Sequence, residues 1–304
     1  MQQHTIQCQS PAASHAMMVR EWGVGQTGPV VVCVHGLTRN SSDFQALAQA
    51  LSADGMRVLA PDIVGRGNSD WLNDPQYYRI DQYCQDILAM VRQLQLGPVF
   101  WVGTSMGGLI AMSILGAFFK DLAEHGCSIE RLVLNDVGAE IPHRALSRIA
   151  DYVGESIEAS SCEEASMAMR VRMVSFGAHT DEQWRLLTEP AVRQRPDGKW
   201  TVNYDLKIAE PFKALFTSVS GDVAGAANAQ AAPMTLWPLY EAIACPTLLL
   251  RGEHSDLLPA EVAIAMTQRG PKAKLVEIPG AGHAPSLVTP EQIQVVHQFL
   301  RKTA

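Results

Sequence analysis

Three residue types that together run acyl transfer occur here at positions where the sequence forces sharp turns. The first is Ser105, in Val99-Phe100-Trp101-Val102-Gly103-Thr104-Ser105-Met106-Gly107-Gly108, an apolar run that leads into an apolar helical stretch. The GxSxG pattern alone would arise by chance about 0.1 times in a chain of this length. Its position adds the meaning. A strand that turns abruptly into a helix strains the central serine and exposes its hydroxyl, and Gly103 and Gly107 give strand and helix room to pass. The turn also brings the Met106 backbone N–H and a helix N-terminus beside the hydroxyl, where negative charge is stabilised.

A serine hydroxyl attacks a carbonyl only when a base takes its proton, and that base is typically a histidine oriented by a carboxylate. In an open parallel sheet such groups come from loops at the carboxyl ends of strands. Two loops qualify, Gly252-Glu253-His254-Ser255-Asp256 and Pro279-Gly280-Ala281-Gly282-His283. The chain order Ser105, Asp256, His283 is the one expected with such a turn. Asp256 is therefore the expected orienting acid. Asp136 also ends a strand-like run and is the alternative, its plainer role being a loop carboxylate that bonds backbone amides.

Elements must hold these loops in place. Short runs rich in Val, Leu and Ile at 30–34, 56–60, 99–102, 132–134, 247–250 and 274–278 read as strands buried on both faces, which a parallel sheet covered by helices requires. Helical patterns lie between and after them at 43–53, 80–96, 106–125, 260–269 and 291–301, giving an α/β fold with right-handed crossovers. The alternation breaks between about 138 and 238, where helical patterns at 144–158, 163–176 and 181–187 precede the turn Pro196-Asp197-Gly198. Residues 1–137 and 238–304 are thus expected to form the core and 138–237 a helical insertion. Within the insertion, 221–233 is low in complexity and reads as a mobile loop.

The chain has 304 residues, 47% hydrophobic and 18% charged, with a net charge of −7. This is globular composition, long enough for a sizeable core, and its acidity argues against a nucleic-acid or anionic-membrane surface. Gly23-Val24-Gly25-Gln26-Thr27-Gly28 fits a dinucleotide fingerprint, but the residues after it are strand-like where a helix is needed, so it reads as a hairpin turn. Six cysteines stand at 8, 33, 84, 127, 162 and 245, without the spacing of a disulfide framework or a zinc site. No secretory signal opens the chain, and the apolar stretch 109–119 is too short to span a bilayer. A cytoplasmic protein is expected.

With the serine turn in view, the sequence resembles the α/β-hydrolase family of serine hydrolases over nearly its whole length. Val34-His35-Gly36-Leu37-Thr38 resembles the family's HG loop, Pro61-Asp62-Ile63-Val64-Gly65-Arg66-Gly67-Asn68-Ser69 its PDxxGxGxS loop, and Gly280-Ala281-Gly282-His283 its GxGH histidine. The resemblance implies an eight-stranded, mostly parallel sheet flanked by helices, a cap inserted after the sixth strand, and no cofactor or metal. It also implies that the backbone N–H of Leu37 joins that of Met106 in an oxyanion hole. His35 is expected to shape its loop, and Asp62 and Arg66 to fix theirs by turn hydrogen bonds and ion pairing.

Hydrolysis of a small carboxylic ester or lactone is the leading expectation, with no nucleic-acid or membrane partner and an oligomeric state that the sequence does not fix. Arg39 is a candidate for holding a substrate carboxylate, the alternative being that it braces its loop. Met173 and Trp184 are candidate pocket residues among the cap's Met and aromatic side chains, most of which are expected in cap core. Two other functions are in view. A carbon–carbon bond hydrolase of ring-cleavage products would use the same three groups, but the 35–40 loop departs from the longer Gly- and Pro-containing form. A non-catalytic small-ligand receptor would use the pocket alone. Ser rather than Asp at 105 argues against a carboxylate nucleophile of the epoxide hydrolase or dehalogenase kind.

Overall fold

The computed structural model of the chain describes residues 1–219 and 232–301. Runs such as Val-Val-Val-Cys-Val, apolar at every position, can be satisfied only between two helical layers. The main sheet has eight strands: β1 (Gln2–Gln9), β2 (Ser14–Trp22), β3 (Val30–Val34), β4 (Arg57–Pro61), β5 (Val99–Thr104), β6 (Ile129–Asn135), β7 (Thr247–Gly252) and β8 (Lys274–Ile278). Their spatial order is β1-β2-β4-β3-β5-β6-β7-β8. Strands β3 to β8 are parallel, whereas β1 pairs antiparallel with β2 and β2 with β4.

Alternate residues of the central strands face opposite layers. Val31, Cys33, Val102, Val133, Leu248 and Leu250 pack beneath the helices Gln45–Ala53 (α1) and Pro290–Arg301 (the last helix). Val32, Val34, Trp101, Leu132, Leu134 and Leu249 belong to the larger cluster on the other side, with Ile80–Gln93 (α2) and Met106–Ala117 (α3). The six expected strands are all present, within a few residues at their ends. The β1–β2 hairpin was not among them, because its solvent-facing residues break the apolar run: in β1 only Ile6 and Cys8 are buried. Residues Gly23 to Gly28 form a turn between β2 and β3, with Gln26 N–H bonding the Gly23 carbonyl, but not the expected hairpin, because β4 lies between these two strands in the sheet. The expected helix at 106–125 is interrupted at Phe118, where the chain restarts as a short helix, Phe119–Glu124 (α4).

Between β6 and β7 the chain leaves the sheet and forms helices His143–Tyr152 (α5), Cys162–Arg172 (α6), Asp181–Thr188 (α7) and Ala209–Val219 (α8). Two short antiparallel strands, Val192–Gln194 and Trp200–Val202, flank the expected turn at 196–198. The low-complexity run 221–233 lies outside the described residues except for its last two. All six cysteines are free. No described helix is long and apolar enough to cross a membrane.

The loops after β3 and β4 are fastened to each other at the carboxyl edge of the sheet. His35, wholly buried, donates from Nδ1 to the Gly36 carbonyl (2.8 Å), and its bare Nε2 accepts from the Ile63 N–H (3.0 Å). Asp62 accepts from the backbone N–H groups of Ser41 and Asn68. Arg66 differs from the expected ion pair. It is wholly buried and has no carboxylate partner among the described residues. Instead Nε donates to the Leu37 carbonyl (2.9 Å), Nη1 to the Val64 carbonyl (2.7 Å), and the guanidinium lies over the Tyr83 ring at 4.8 Å. Carbonyl dipoles and an aromatic face are the weak counter-charge that this cation has.

Burial pushes the His35 imidazole down to about 3, so the folded protein refuses a proton that the unfolded chain binds below its ordinary value. Stability is therefore complete above about pH 6.5 and is lost as the pH falls toward 3. By linkage this one group should remove about 2 kcal/mol between pH 8 and pH 5. Urea unfolding of the wild type and of His35→Gln at both pH values measures it, the variant being expected to show a loss smaller by about that amount; an equal loss in both would contradict it.

Candidate active site

Ser105 stands at the junction of β5 and α3 with φ 50° and ψ −112°, outside the regions ordinary residues prefer. Its N–H bonds the Asn135 carbonyl at the end of β6 (2.9 Å), which anchors the strained residue to the neighbouring strand. The flanking glycines are sterically required. A Cβ on Gly107 would fall 1.9 Å from the Val34 carbonyl oxygen, and one on Gly103 would fall 2.4 Å from the Gly107 carbonyl oxygen. Leu37, Ser105 and Met106 share the wall of one cavity, as the oxyanion expectation needs.

His283, in the loop after β8, reaches the serine: Nε2 lies 3.0 Å from Ser105 Oγ. Its other nitrogen, Nδ1, lies 2.7 Å from Oδ2 of Asp136. Asp136 directly follows β6, is wholly buried, and has φ 57°, a left-handed conformation that aspartate tolerates better than most residues. Two further donors fix its carboxylate. The Gly252 N–H bonds Oδ1 (2.9 Å) and the Ser255 hydroxyl bonds Oδ2 (2.7 Å). Ser255 Oγ in turn accepts from the Leu258 N–H (3.1 Å), which leaves its hydrogen free to point at Asp136. With Asp136 accepting, Nδ1 carries the imidazole proton and Nε2 is left to accept from the serine.

The expectation that Asp256 orients the histidine is corrected by this geometry. Asp256 lies four residues beyond the end of β7, turned outward, and its carboxylate is gripped by Arg148 of α5 through Nε (2.6 Å) and Nη2 (2.8 Å). Burial alone would raise its carboxyl, but the Arg148 hydrogen bonds and charge outweigh that and hold it below the usual carboxylate range. The residue that sequence reasoning missed is Ser255. Beside an acid at the end of β6, a small hydroxyl in the β7 loop is the signal that would have pointed to it.

The three candidate substrate contacts do not line the cavity. Arg39 is buried and braces its loop: Nε bonds Asp43 (2.8 Å), Nη2 bonds Asp43 and the Leu187 carbonyl (2.6 Å), and Nη1 meets the Met173 sulfur. Met173 is thereby occupied in packing. Trp184 is buried against His179, ring centroids 5.0 Å apart, with Arg170 on its face. The cavity itself encloses about 1240 Å³ and is walled beyond Ser105 by Leu109, Val137, Ile149, Phe212, Met234 and Leu257. It lies between the sheet edge and the insertion, to which Ile149, Phe212 and Met234 belong. Arg79, Asp81 and Glu210 also line it.

Known proteins bear on this arrangement. The sequence profile described as "Alpha/beta hydrolase family" matches residues 31–293. The chain is 39% identical over 297 residues to the 3-hydroxybutyrate-oligomer hydrolase of Cupriavidus necator, covering 97% of this chain and 96% of the relative, so the likeness takes in the insertion as well as the sheet. It is 28% identical over 274 residues to the 2-(acetamidomethylene)succinate hydrolase of Mesorhizobium japonicum, covering 90% and 87% of the two chains. Among solved structures, an alpha/beta hydrolase of Novosphingobium aromaticivorans superposes with a TM-score of 0.81 at 33% identity, covering 99% of both chains. A sheet of this order, a strained serine at the end of β5 and a family match over most of the length agree: the chain belongs to the alpha/beta hydrolase family and is a hydrolase.

Proposed function

We propose that the protein is a serine esterase that cleaves short oligoesters of 3-hydroxyalkanoic acids through an acyl-enzyme. The observation that carries this reading is the continuous relay Ser105–His283–Asp136, with 3.0 and 2.7 Å links, opening into the apolar cavity. Ser105 Oγ attacks the ester carbonyl as His283 Nε2 takes its proton. The tetrahedral oxyanion is held by the N–H groups of Leu37 and Met106. His283 then protonates the departing alkoxide, and water repeats the sequence to release the acid. Asp136 holds the imidazole in its working tautomer and faces the charge that forms on it. Gly252 and Ser255 hold Asp136. Residues 138–237 act as the cap over the site.

Pocket size and the Cupriavidus relative support the substrate class. Small-ligand pockets commonly enclose about 300–1,000 Å³, and this one, at about 1240 Å³, has room for more than one short hydroxyacyl unit along an apolar wall. A receptor without turnover would have no use for a histidine whose bare nitrogen faces a strained serine.

Amide substitution of the triad acid typically costs about 10⁴ in turnover. Asp136→Asn is therefore expected to lose about that factor in kcat while Asp256→Asn stays within severalfold of wild type; the reverse ranking would return the role to Asp256. Labelling by a fluorophosphonate should be stoichiometric and vanish in Ser105→Ala. In a substrate series, kcat/KM is expected to rise from ethyl 3-hydroxybutyrate to the dimer and trimer of 3-hydroxybutyrate. A flat or falling series, with the labelling intact, would leave the serine esterase standing and remove the oligoester.

A further inference from the structure

Away from the serine, the β1–β2 hairpin and α2 enclose a second cluster of reactive side chains. Cys8 and His15 are directly opposed in the antiparallel register, which sends both side chains to one face of the hairpin. Asp86 meets them from α2. A thiol sulfur, an imidazole nitrogen and a carboxylate oxygen, one from each residue, all lie within 4.8 Å of one another. The three residues are 3%, 5% and 0% exposed, so water does not solvate them.

Hydrogen bonding leaves much of this cluster unsatisfied. His15 Nε2 is 3.1 Å from Asp86 Oδ1 but lacks the alignment of a hydrogen bond, and neither ring nitrogen has a hydrogen-bond partner among the described residues. Asp86 Oδ1 accepts from Gln82 Nε2 (2.8 Å), whereas Oδ2 has no partner. The Cys8 thiol lies 3.8 and 3.9 Å from the carbonyls of Ile6 and Asp86, contacts too long to be strong, and also faces the Asp86 carboxylate. Buried polar atoms left in this state are rare in folded proteins and call for a partner.

We propose that Cys8, His15 and Asp86 form a structural site for a zinc-class divalent cation. One sulfur, one imidazole nitrogen and one carboxylate oxygen are the borderline-soft donors that Zn²⁺ selects over Mg²⁺ or Ca²⁺. A thiolate and a carboxylate together cancel the charge of the dication, so the loaded cluster is neutral in an apolar setting. The His15 ring, now only ion-paired with Asp86, and the unpartnered Asp86 oxygen become ligands, and a water carried in with the cation supplies a fourth. Forming the metal–sulfur bond breaks the S–H bond of Cys8, whose thiol burial otherwise pushes up, and releases that proton to solvent. The cation ties the outermost hairpin of the sheet to α2, whose Ile80, Asp81 and Tyr83 reach the cavity wall. Cysteine spacing gives no hint of such a site, because the ligands come from positions 8, 15 and 86.

Full-length protein freed of metal by dialysis against a chelator is titrated with Co²⁺ and followed by absorption. One equivalent is expected to produce saturable ligand-field bands of a tetrahedral site and a sulfur-to-cobalt charge-transfer band, displaced by Zn²⁺. The charge-transfer band should be lost in Cys8→Ser, and affinity should fall at least tenfold in Asp86→Asn, each variant being checked for native circular dichroism. Zn²⁺ at about 100 times its Kd should raise Tm by roughly 5 °C in the wild type and not in Cys8→Ser. Absence of saturable binding to the folded wild type would overturn the proposal, whatever the variants do. A charge-transfer band that persists in Cys8→Ser would overturn it too, by placing the cation on another cysteine.

Discussion

One buried carboxylate ties together loops from three strands. Asp136 leaves β6 and receives an N–H from the last residue of β7, a hydroxyl from the β7 loop and the imidazole of the β8 loop. Bonds between the β7 and β8 loops, such as His254 N–H to the Ala281 carbonyl, set part of their mutual position, and this shared acceptor sets the rest. Because the carboxylate is wholly buried, water cannot replace a donor that moves away, and each donor is held by the cost of leaving the charge unpaired. The position of His283 Nε2 beside Ser105 rests on that constraint together with Ser175 of the insertion, whose hydroxyl bonds the His283 carbonyl and whose carbonyl accepts from the Gly282 N–H.

The opposite wall of the site is built on a different principle. There the loops after β3 and β4 meet through His35, Asp62 and Arg66, and the bonds run mainly to backbone groups. Arg66 lies beneath Leu37 and Met106, its guanidinium bonded to the Leu37 carbonyl and close to the Met106 sulfur. Main-chain partners set the shape of this wall without committing particular side chains to the cavity. Leu37 and Met106 both stand at the cavity wall that this arrangement sets.

Much of the fold was legible because its signals are local. Uniformly apolar runs identified the six parallel strands, and the glycines around Ser105 marked a turn that needs them. The hairpin at the start of the chain escaped because half of its residues face water. The candidate site was legible where position along a strand decided it, as for Ser105 and His283. It was misread where reach in space decided it. Asp136 and Asp256 both follow strands, and only the packing of β6 beside β5, with Ser255 turned inward and Arg148 pulling Asp256 outward, separates them. Arg39, Met173 and Trp184 have side chains suited to a pocket, yet ion pairing and packing within the insertion had claimed them.

The outward turn of Asp256 has a consequence for how such a molecule diverges. Its bond to Arg148 joins the β7 loop to α5 across the seam between sheet and insertion, two residues half open to solvent. This pair of surface charges shares no atom with the buried Asp136 network, and the insertion is also fastened to the core through Ser175 to Gly282 and His283, His179 to Ser286, and Asn203 to Gly67. Residues 148 and 256 can therefore be exchanged without removing a partner of the reacting groups.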